Sequence, residues 1–285
     1  MLKIFIGLIP ALLWGVMPVF LEKTGGTPFD QILGTTIGSC IFGVIISIIY
    51  FPRISTEILI LGFLSGFFWS IGQVGQYYGY ITIGTSKVFP LSSSLQIIGN
   101  SLIGGLLLGE WEKAITIING LIALVIIVLG VVLCNYTPER NRNKNKTDTK
   151  VYLIVVFTTI GYWCYSSFPK ISNSSALELI LPQTFGMVVA AVIMFILNNK
   201  KKRIEFKKIG LNILPGLLFG IAAGVYLVSI QLNGVVNAFI LSQFNLVLAT
   251  LIGIYYFKER STVNYFRVYL GLGMIISGAI LIELV

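Results

Sequence analysis

The sequence predicts an all-α integral membrane protein. Of its 285 residues, 56% are hydrophobic and 11% are charged, and the mean hydropathy is +0.90. Soluble globular domains carry about 25% charged residues, so this chain has too few charges to cover its surface in water. The chain also contains long runs without Asp, Glu, Lys or Arg. Because a helix needs about 20 apolar residues to cross a bilayer, each run predicts a transmembrane helix.

Ten helices follow from the order of these runs. The run 209–257 is too long for a single crossing, and it divides at Asn233 and Gly234 because Asn-Gly is a turn signal. The last run is short, and Tyr265 and Phe266 extend it. The charge-free runs are 4–21, 31–52, 58–86, 88–109, 114–138, 151–169, 179–199, 209–257 and 268–282.

Lys and Arg are distributed unevenly between the two sides of these helices. The side that includes the loops 140–150 and 200–208 carries 16 of the 20, and the other side carries 4. Cytoplasmic loops have an excess of Lys and Arg, so we expect this side to be cytoplasmic and both termini to lie outside. The net charge of +9 then reflects orientation and contact with anionic lipid, and no nucleic-acid partner is expected.

The sequences before and after a polar linker at 135–150 resemble each other weakly. Gly38, for example, aligns with Gly186, 148 residues later. With five helices each, the two units must enter the membrane from opposite sides, which is the inverted repeat of secondary transporters. We therefore predict one unit at 1–134 and a second at 151–285, with a site between them near the midplane. The other matched positions are Phe20 with Phe168, 66–69 with 216–219, 94–96 with 241–243, and 109–110 with 258–259.

Glycines recur at a spacing of four residues inside several predicted helices. Glycines one turn apart lie on the same helix face and allow two backbones to approach closely, so the spacing predicts helix–helix contacts. It occurs at Gly34 and Gly38, at Gly62 and Gly66, and at Gly216, Gly220 and Gly224.

Uncharged amides and aromatic rings also lie inside the predicted helices. Amides donate and accept hydrogen bonds, which suits a ligand covered with hydroxyls, and aromatic faces suit the apolar face of a sugar ring. Since polar groups in hydrocarbon are costly, they should face a cavity or bond to one another across helices. The candidate substrate-binding residues are Trp14, Trp69, Gln73, Gln76, Gln96, Asn100, Trp163, Gln183, Gln243 and Asn245.

Catalytic and metal-binding groups are scarce in the sequence. The chain has no histidine, and no carboxylate lies inside a predicted helix. No nucleophile–base pair or metal cluster can be assembled, so we expect no enzyme activity, no metal and no cofactor. A transporter of cationic drugs would need an acid within the membrane. Glu110 and Glu259 end the fourth and ninth helices, where we expect them to be structural.

Several segments occur in an order typical of a known family. They are LIPALLWG at 8–15, GGTP at 25–28, QILGTTIG at 31–38, WSIGQ at 69–73, PLS at 90–92, QIIG at 96–99, LGEW at 108–111, GYW at 161–163, LPQ at 181–183, GM at 186–187 and LSQ at 241–243. Together they resemble the drug/metabolite transporter superfamily, and within it the bacterial glucose/ribose uptake porters. Lys258 departs from the Gly that the superfamily usually has there. The resemblance implies the ten-helix fold, monosaccharide import and proton linkage.

The leading hypothesis is a monosaccharide uptake transporter in the cell membrane of a bacterium. Glucose or ribose is the expected cargo, alternating access the expected mechanism, and lipid and a proton are further expected partners. The alternative is a metabolite or amino-acid exporter of the same superfamily, which an uncharged cavity does not exclude.

Overall fold

The structure is a computed structural model that describes residues 2–107, 111, 113–135, 146–172, 174–198, 205–233, 241–242, 244–258 and 264–283. Within these ranges the secondary structure is helical, without a strand. Seven helical stretches of this part of the chain are long and apolar enough to cross a membrane. The predicted class, an all-α protein with several membrane-spanning helices, is therefore confirmed.

Five helices form the N-terminal half. α2 begins at a capping box, in which Thr27 Oγ1 accepts from the Asp30 backbone N–H at 3.2 Å and the Asp30 carboxylate accepts from the Thr27 N–H at 2.8 Å. α3 ends at Ile83, Gly84 follows with a φ of 93° that suits glycine, and α4 starts at Thr85. The helices are α1 (Leu2–Thr24), α2 (Pro28–Tyr50), α3 (Thr56–Ile83), α4 (Thr85–Leu102), which continues as a π-helical turn (Ile103–Leu107), and α5 (Ala114–Asn135).

The C-terminal half contains two helices that are each interrupted once. The sequence predicts one helix over 151–169, and the structure has one apolar helical stretch at Thr149–Pro169 in which only Thr159 departs from helical geometry. The Thr159 hydroxyl donates to the Val155 carbonyl at 2.7 Å, and its backbone N–H donates to the same carbonyl at 3.1 Å. A second interruption lies at Asn212. The helices are α6 (Lys146–Thr158), α7 (Ile160–Ser172), α8 (Ala176–Asn198), α9 (Phe206–Leu211), α10 (Ile213–Asn233), α11 (Phe244–Tyr255) and α12 (Tyr265–Glu283).

Two regions of the predicted topology lie outside the described residues. One is 136–145, which makes up most of the predicted linker, and the other is the basic stretch 199–204. α10 ends at Asn233, where the turn was predicted, and 234–240 are not described.

Helices of the two halves pack against each other throughout the bundle. α1 contacts α10 and α11, α2 contacts α8 and α10, α3 contacts α7 and α8, α4 contacts α11, and α5 contacts α12. One apolar cluster joins α4, α5, α11 and α12 around Ile127 and Ile275. A second joins α1, α2, α3, α7, α8 and α9 around Trp69 and Tyr162, and Tyr80 of α3 packs against both clusters.

The predicted glycine contacts occur at two of these crossings. A Cβ atom on Gly66 of α3 would lie 1.8 Å from the carbonyl oxygen of Gln183 in α8. A Cβ atom on Gly216 of α10 would lie 2.1 Å from the carbonyl oxygen of Thr35 in α2. At both places the two backbones touch, which requires a residue without a side chain.

Candidate functional site

The second apolar cluster contains a group of buried polar side chains. Gln73 and Gln76 lie one turn apart on α3, and Gln73 Nε2 donates to Gln76 Oε1 at 3.0 Å. The hydroxyl of Tyr162 on α7 lies 2.8 Å from Gln73 Oε1 and 3.2 Å from Gln76 Oε1, so it can donate to either. The two predicted amides thus share a helix face, as expected, and bond to the opposite half of the chain.

Aromatic rings surround this polar group. The Trp69 ring meets the Tyr162 ring edge-on, with centroids 6.5 Å apart, and lies 4.8 Å from the Phe219 ring of α10. On α1, Trp14 reaches Phe219 at 6.1 Å and Tyr226 at 5.8 Å. Two helices from each half, α1 and α3 with α7 and α10, therefore form one aromatic wall.

Three further candidates lie where α4 meets α7 or within α4. Trp163 Nε1 donates to the Leu95 carbonyl at 2.8 Å, and Asn100 Nδ2 donates to Ser166 Oγ at 3.2 Å. Gln96 donates at 3.3 Å to a serine hydroxyl one turn earlier on α4. Consecutive residues of α7 thus contact α3 through Tyr162 and α4 through Trp163.

Gln183 makes a helix–helix contact. Its Nε2 donates to Ser65 Oγ at 2.8 Å, and Ser65 Oγ donates to the Tyr165 carbonyl at 2.7 Å. This chain of bonds joins α8, α3 and α7 beside Trp69, whose ring lies 6.4 Å from that of Tyr165. The geometry is that of the interhelical bonding considered as the alternative to ligand contact.

Some buried polar atoms have no hydrogen-bond partner within the described part of the chain. Because a buried polar group without a partner costs about 1–3 kcal/mol, such atoms mark places where a ligand or water would be stabilised. Most of these atoms are on α1, α4 and α11. Gln73 and Gln76 of α3 are not among them, because their side chains bond to each other. The atoms without a partner in this part of the chain are Trp14 Nε1, Ser47 Oγ, Ser94 Oγ, Asn100 Oδ1, Asn245 Oδ1 and Thr250 Oγ1.

Three predicted residues lie outside the described residues, namely Gln243, Glu110 and Glu259. Their predicted roles stay predictions. Conversely, Phe219 and Tyr226 are part of the aromatic wall but not of the predicted set. Their separation of seven residues places them on one face of α10, and this spacing was the available signal.

A second polar group ties the two halves together at one end of the bundle. Asn212, fully buried at the break between α9 and α10, accepts from the Thr24 hydroxyl at 2.8 Å and donates to the Gly25 carbonyl at 3.0 Å. Lys208 Nζ donates to the Thr24 carbonyl at 3.1 Å. The α1–α2 turn is thereby fixed to α9.

Comparisons with known proteins cover almost the entire chain. A family model described as sugar transport protein matches residues 5–285. A putative sugar uptake protein of Lactobacillus helveticus is 38% identical over 98% of this chain and 99% of its own length. The glucose uptake protein GlcU of Bacillus subtilis is 33% identical over 98% and 97%, and a putative ribose uptake protein RbsU of Staphylococcus epidermidis is 34% identical over 92% and 90%.

A solved structure shares the fold. One crystal structure superposes with a TM-score of 0.64 at 15% identity and covers 98% of this chain and 95% of its own. At this identity the similarity concerns the fold alone. The family model and the full-length relatives confirm the resemblance predicted from the sequence, and the chain belongs to the sugar transport protein family.

Proposed function

We propose that the chain imports a monosaccharide, glucose or ribose, across the cell membrane of a bacterium by alternating access. The aromatic wall and buried amides between the two halves carry this proposal. A sugar needs an apolar surface for its ring face and uncharged groups that both donate and accept for its hydroxyls, and this site offers both. Relatives named as glucose and ribose uptake proteins support the same substrate class.

The pattern of helix contacts supports a repeat of five helices. If α6 and α7 together form one membrane-spanning segment, and α9 and α10 together form another, the described helices give ten membrane-spanning segments. A twofold relation between the halves would pair the contact of α1 with α10 to that of α7 with α3, and the contact of α2 with α10 to that of α8 with α3. Both members of each pair are present, and α2–α8, α4–α11 and α5–α12 are the contacts expected on the twofold axis.

Matching helix starts give independent support for the repeat. At the start of α2, the Asp30 carboxylate accepts from the Thr27 backbone N–H and hydroxyl, both at 2.8 Å. At the start of α8, 148 residues later, the Glu178 carboxylate accepts from the Ser175 N–H at 2.8 Å and hydroxyl at 2.7 Å. Related sequences at related places thus form the same cap, as a duplicated unit would.

Counterflow in proteoliposomes tests the function directly. Vesicles loaded with unlabelled glucose, ribose or an amino-acid panel would be diluted into the labelled compound. We expect exchange of at least one of the two sugars by the wild-type protein and none by empty vesicles. Exchange of amino acids without exchange of either sugar would contradict the proposal and favour the exporter.

Orientation is testable by cysteine labelling. In a background without the native cysteines, we expect a membrane-impermeant maleimide to label Arg53→Cys in intact cells. The Arg53 loop lies on the side opposite to the 16 basic residues, and that opposite side is expected to be outside. Asn145→Cys should react only after permeabilisation. Labelling of position 145 from outside would reverse the proposed topology.

The polar group on α3 should affect sugar affinity. Gln73 Oε1 accepts a hydrogen bond from the Tyr162 hydroxyl at 2.8 Å. We propose that the same oxygen also accepts from a sugar hydroxyl. Removing one partner of a buried hydrogen bond costs about 1–3 kcal/mol, so Gln73→Ala should raise the KM for uptake by roughly five- to a hundredfold. Thr82 is exposed on the same helix, so Thr82→Ala is the control and should leave KM unchanged. Unchanged affinity in Gln73→Ala would assign this residue to packing.

A further inference from the structure

Two tryptophans at equivalent places in the proposed repeat have different environments. Trp14 and Trp163 are 149 residues apart, close to the offset that relates the other matched segments. The Trp163 indole N–H donates to the Leu95 carbonyl at 2.8 Å and so fixes α7 to α4. The Trp14 indole N–H is buried and has no hydrogen-bond partner among the described residues. One of the two donors is therefore used by the protein, and the other is available.

Two aromatic side chains of α10 lie beside the Trp14 ring. Phe219 lies 6.1 Å away with an interplanar angle of 35°, and Tyr226 lies 5.8 Å away with an angle of 50°. The two are seven residues apart, so they occupy one face of α10 over two turns. The apolar faces of Trp14 and its neighbours thus form a continuous surface, and the indole N–H is a polar donor within it.

An unused acceptor lies on the helix that packs beside Trp14. A Cβ atom on Gly15, the next residue, would lie 2.9 Å from the Leu248 side chain, so α11 touches α1 directly. Asn245 precedes Leu248 by three residues and therefore lies about one turn from this contact. Its Oδ1 is buried and also has no partner among the described residues. A hydroxyl group can accept from an indole N–H and donate to an amide oxygen, so a ligand carrying hydroxyls offers the kind of partner that each of these two atoms lacks.

We infer that the Trp14 indole N–H is a specificity-determining donor to one hydroxyl of the transported sugar, while Phe219 and Tyr226 hold the ring of that sugar by its apolar face. This inference rests on the proposed function, because it requires a sugar in the passage between the halves. It assigns to Trp163, the equivalent residue, a structural role in joining α7 to α4. The repeat has thus become asymmetric at this pair.

The test compares Trp14→Phe with Trp163→Phe in counterflow of the cargo sugar and its series of monodeoxy analogues. Phenylalanine retains an aromatic face but has no N–H. For Trp14→Phe we expect KM to rise about five- to a hundredfold for the complete sugar. For the one analogue that lacks the bonded hydroxyl, we expect wild type and variant to have the same KM within about twofold, as a double-mutant cycle on a single bond requires. Trp163→Phe should lower the amount of protein in the membrane without selecting among the analogues.

Each other outcome overturns the inference in a distinguishable way. An unchanged KM in Trp14→Phe would show that the N–H makes no bond to sugar. An equal rise in KM for every analogue would leave a stacking role and exclude the hydrogen bond. If Trp14→Phe does not reach the membrane, Trp14→Met, which has a large apolar side chain and no hydrogen-bond donor, is measured with the same analogues and judged by the same criteria. If wild type exchanges no sugar at all, the proposed function itself is wrong.

Discussion

Gly66→Ala is expected to prevent accumulation of folded protein. The added methyl group would lie 1.8 Å from the carbonyl oxygen of Gln183 and 2.6 Å from its carbonyl carbon. Both are backbone atoms of α8, which cannot rotate aside as a side chain can, so α3 and α8 would separate along their contact. Overpacking costs about 1–3 kcal/mol and sometimes more, and a rigid backbone contact is expected at the high end of this range. That is a large part of the free energy of unfolding of a single chain. Membrane abundance and the unfolding temperature of purified protein measure the effect.

Gly273→Ala is the matched control for this substitution. Gly273 lies within α12, and a Cβ atom there would meet nothing within 4 Å. Alanine is favoured over glycine in a helix by roughly 0.5–1 kcal/mol, so this variant should be as stable as wild type or slightly more stable. Gly216→Ala, whose methyl would lie 2.1 Å from the Thr35 carbonyl oxygen, should resemble Gly66→Ala. Equal stability of Gly66→Ala and Gly273→Ala would mean that α3 and α8 have room to adjust.

The helices and their close contacts were predictable because their signals are local. Hydropathy runs predicted where helices would lie, and the spacing of Gly62 and Gly66 predicted that one face of α3 would touch another backbone. The partner of that face was not predictable, since the spacing does not specify which helix supplies it. The irregular residue Thr159 was not predicted, because an apolar run has the same composition whether its helix is regular throughout or contains one turn residue.

The candidate site was predictable in its residue types but not in its bonding. Gln73 and Gln76 were expected on one face of α3, and they are, yet their bonds to each other and to Tyr162 depend on the position of α7. Trp14 and Trp163 are chemically identical and occupy matching sequence positions. Only the three-dimensional packing distinguishes the indole that bonds to a carbonyl from the one that does not.

Asn212→Leu is expected to loosen one end of the bundle. Leucine has the same number and branching of heavy side-chain atoms as asparagine, so the change removes hydrogen bonds without leaving a cavity. Asn212 Nδ2 donates to the Gly25 carbonyl at 3.0 Å and to the Lys208 carbonyl at 2.8 Å, and both acceptors would lose this donor. An unpaired buried group costs about 1–3 kcal/mol, which is a factor of roughly five to a hundred in the ratio of closed to open states. Hydrogen exchange of residues 24–27 and 206–212 should accelerate by a factor in this range.

Gln31→Leu is the matched control for this second prediction. Gln31 is also a buried amide near this end, but its Nε2 donates at 3.0 Å to the Leu21 carbonyl, within the same half. Its loss should lower stability while exchange in α9 stays unchanged. Unaltered exchange of 24–27 in Asn212→Leu would show that the bonds of this side chain do not hold the two halves together.

The opposite end of the bundle provides a further expectation for Asn212→Leu. In the proposed repeat, the positions 150 residues before Lys208 and Asn212 are Ile58 and Gly62, which have no hydrogen-bonding side chain. These two positions therefore cannot make the side-chain bonds that Lys208 and Asn212 make, and loss of the Asn212 bonds should favour opening at one end only. Because alternating access requires the two ends to open at different times, such a one-sided shift should change the affinity for sugar measured from the two faces of the membrane in opposite directions. Uptake into right-side-out and inside-out vesicles measures both affinities. A parallel change in the two would mean that the Asn212 bonds stabilise the bundle without favouring one open state over the other.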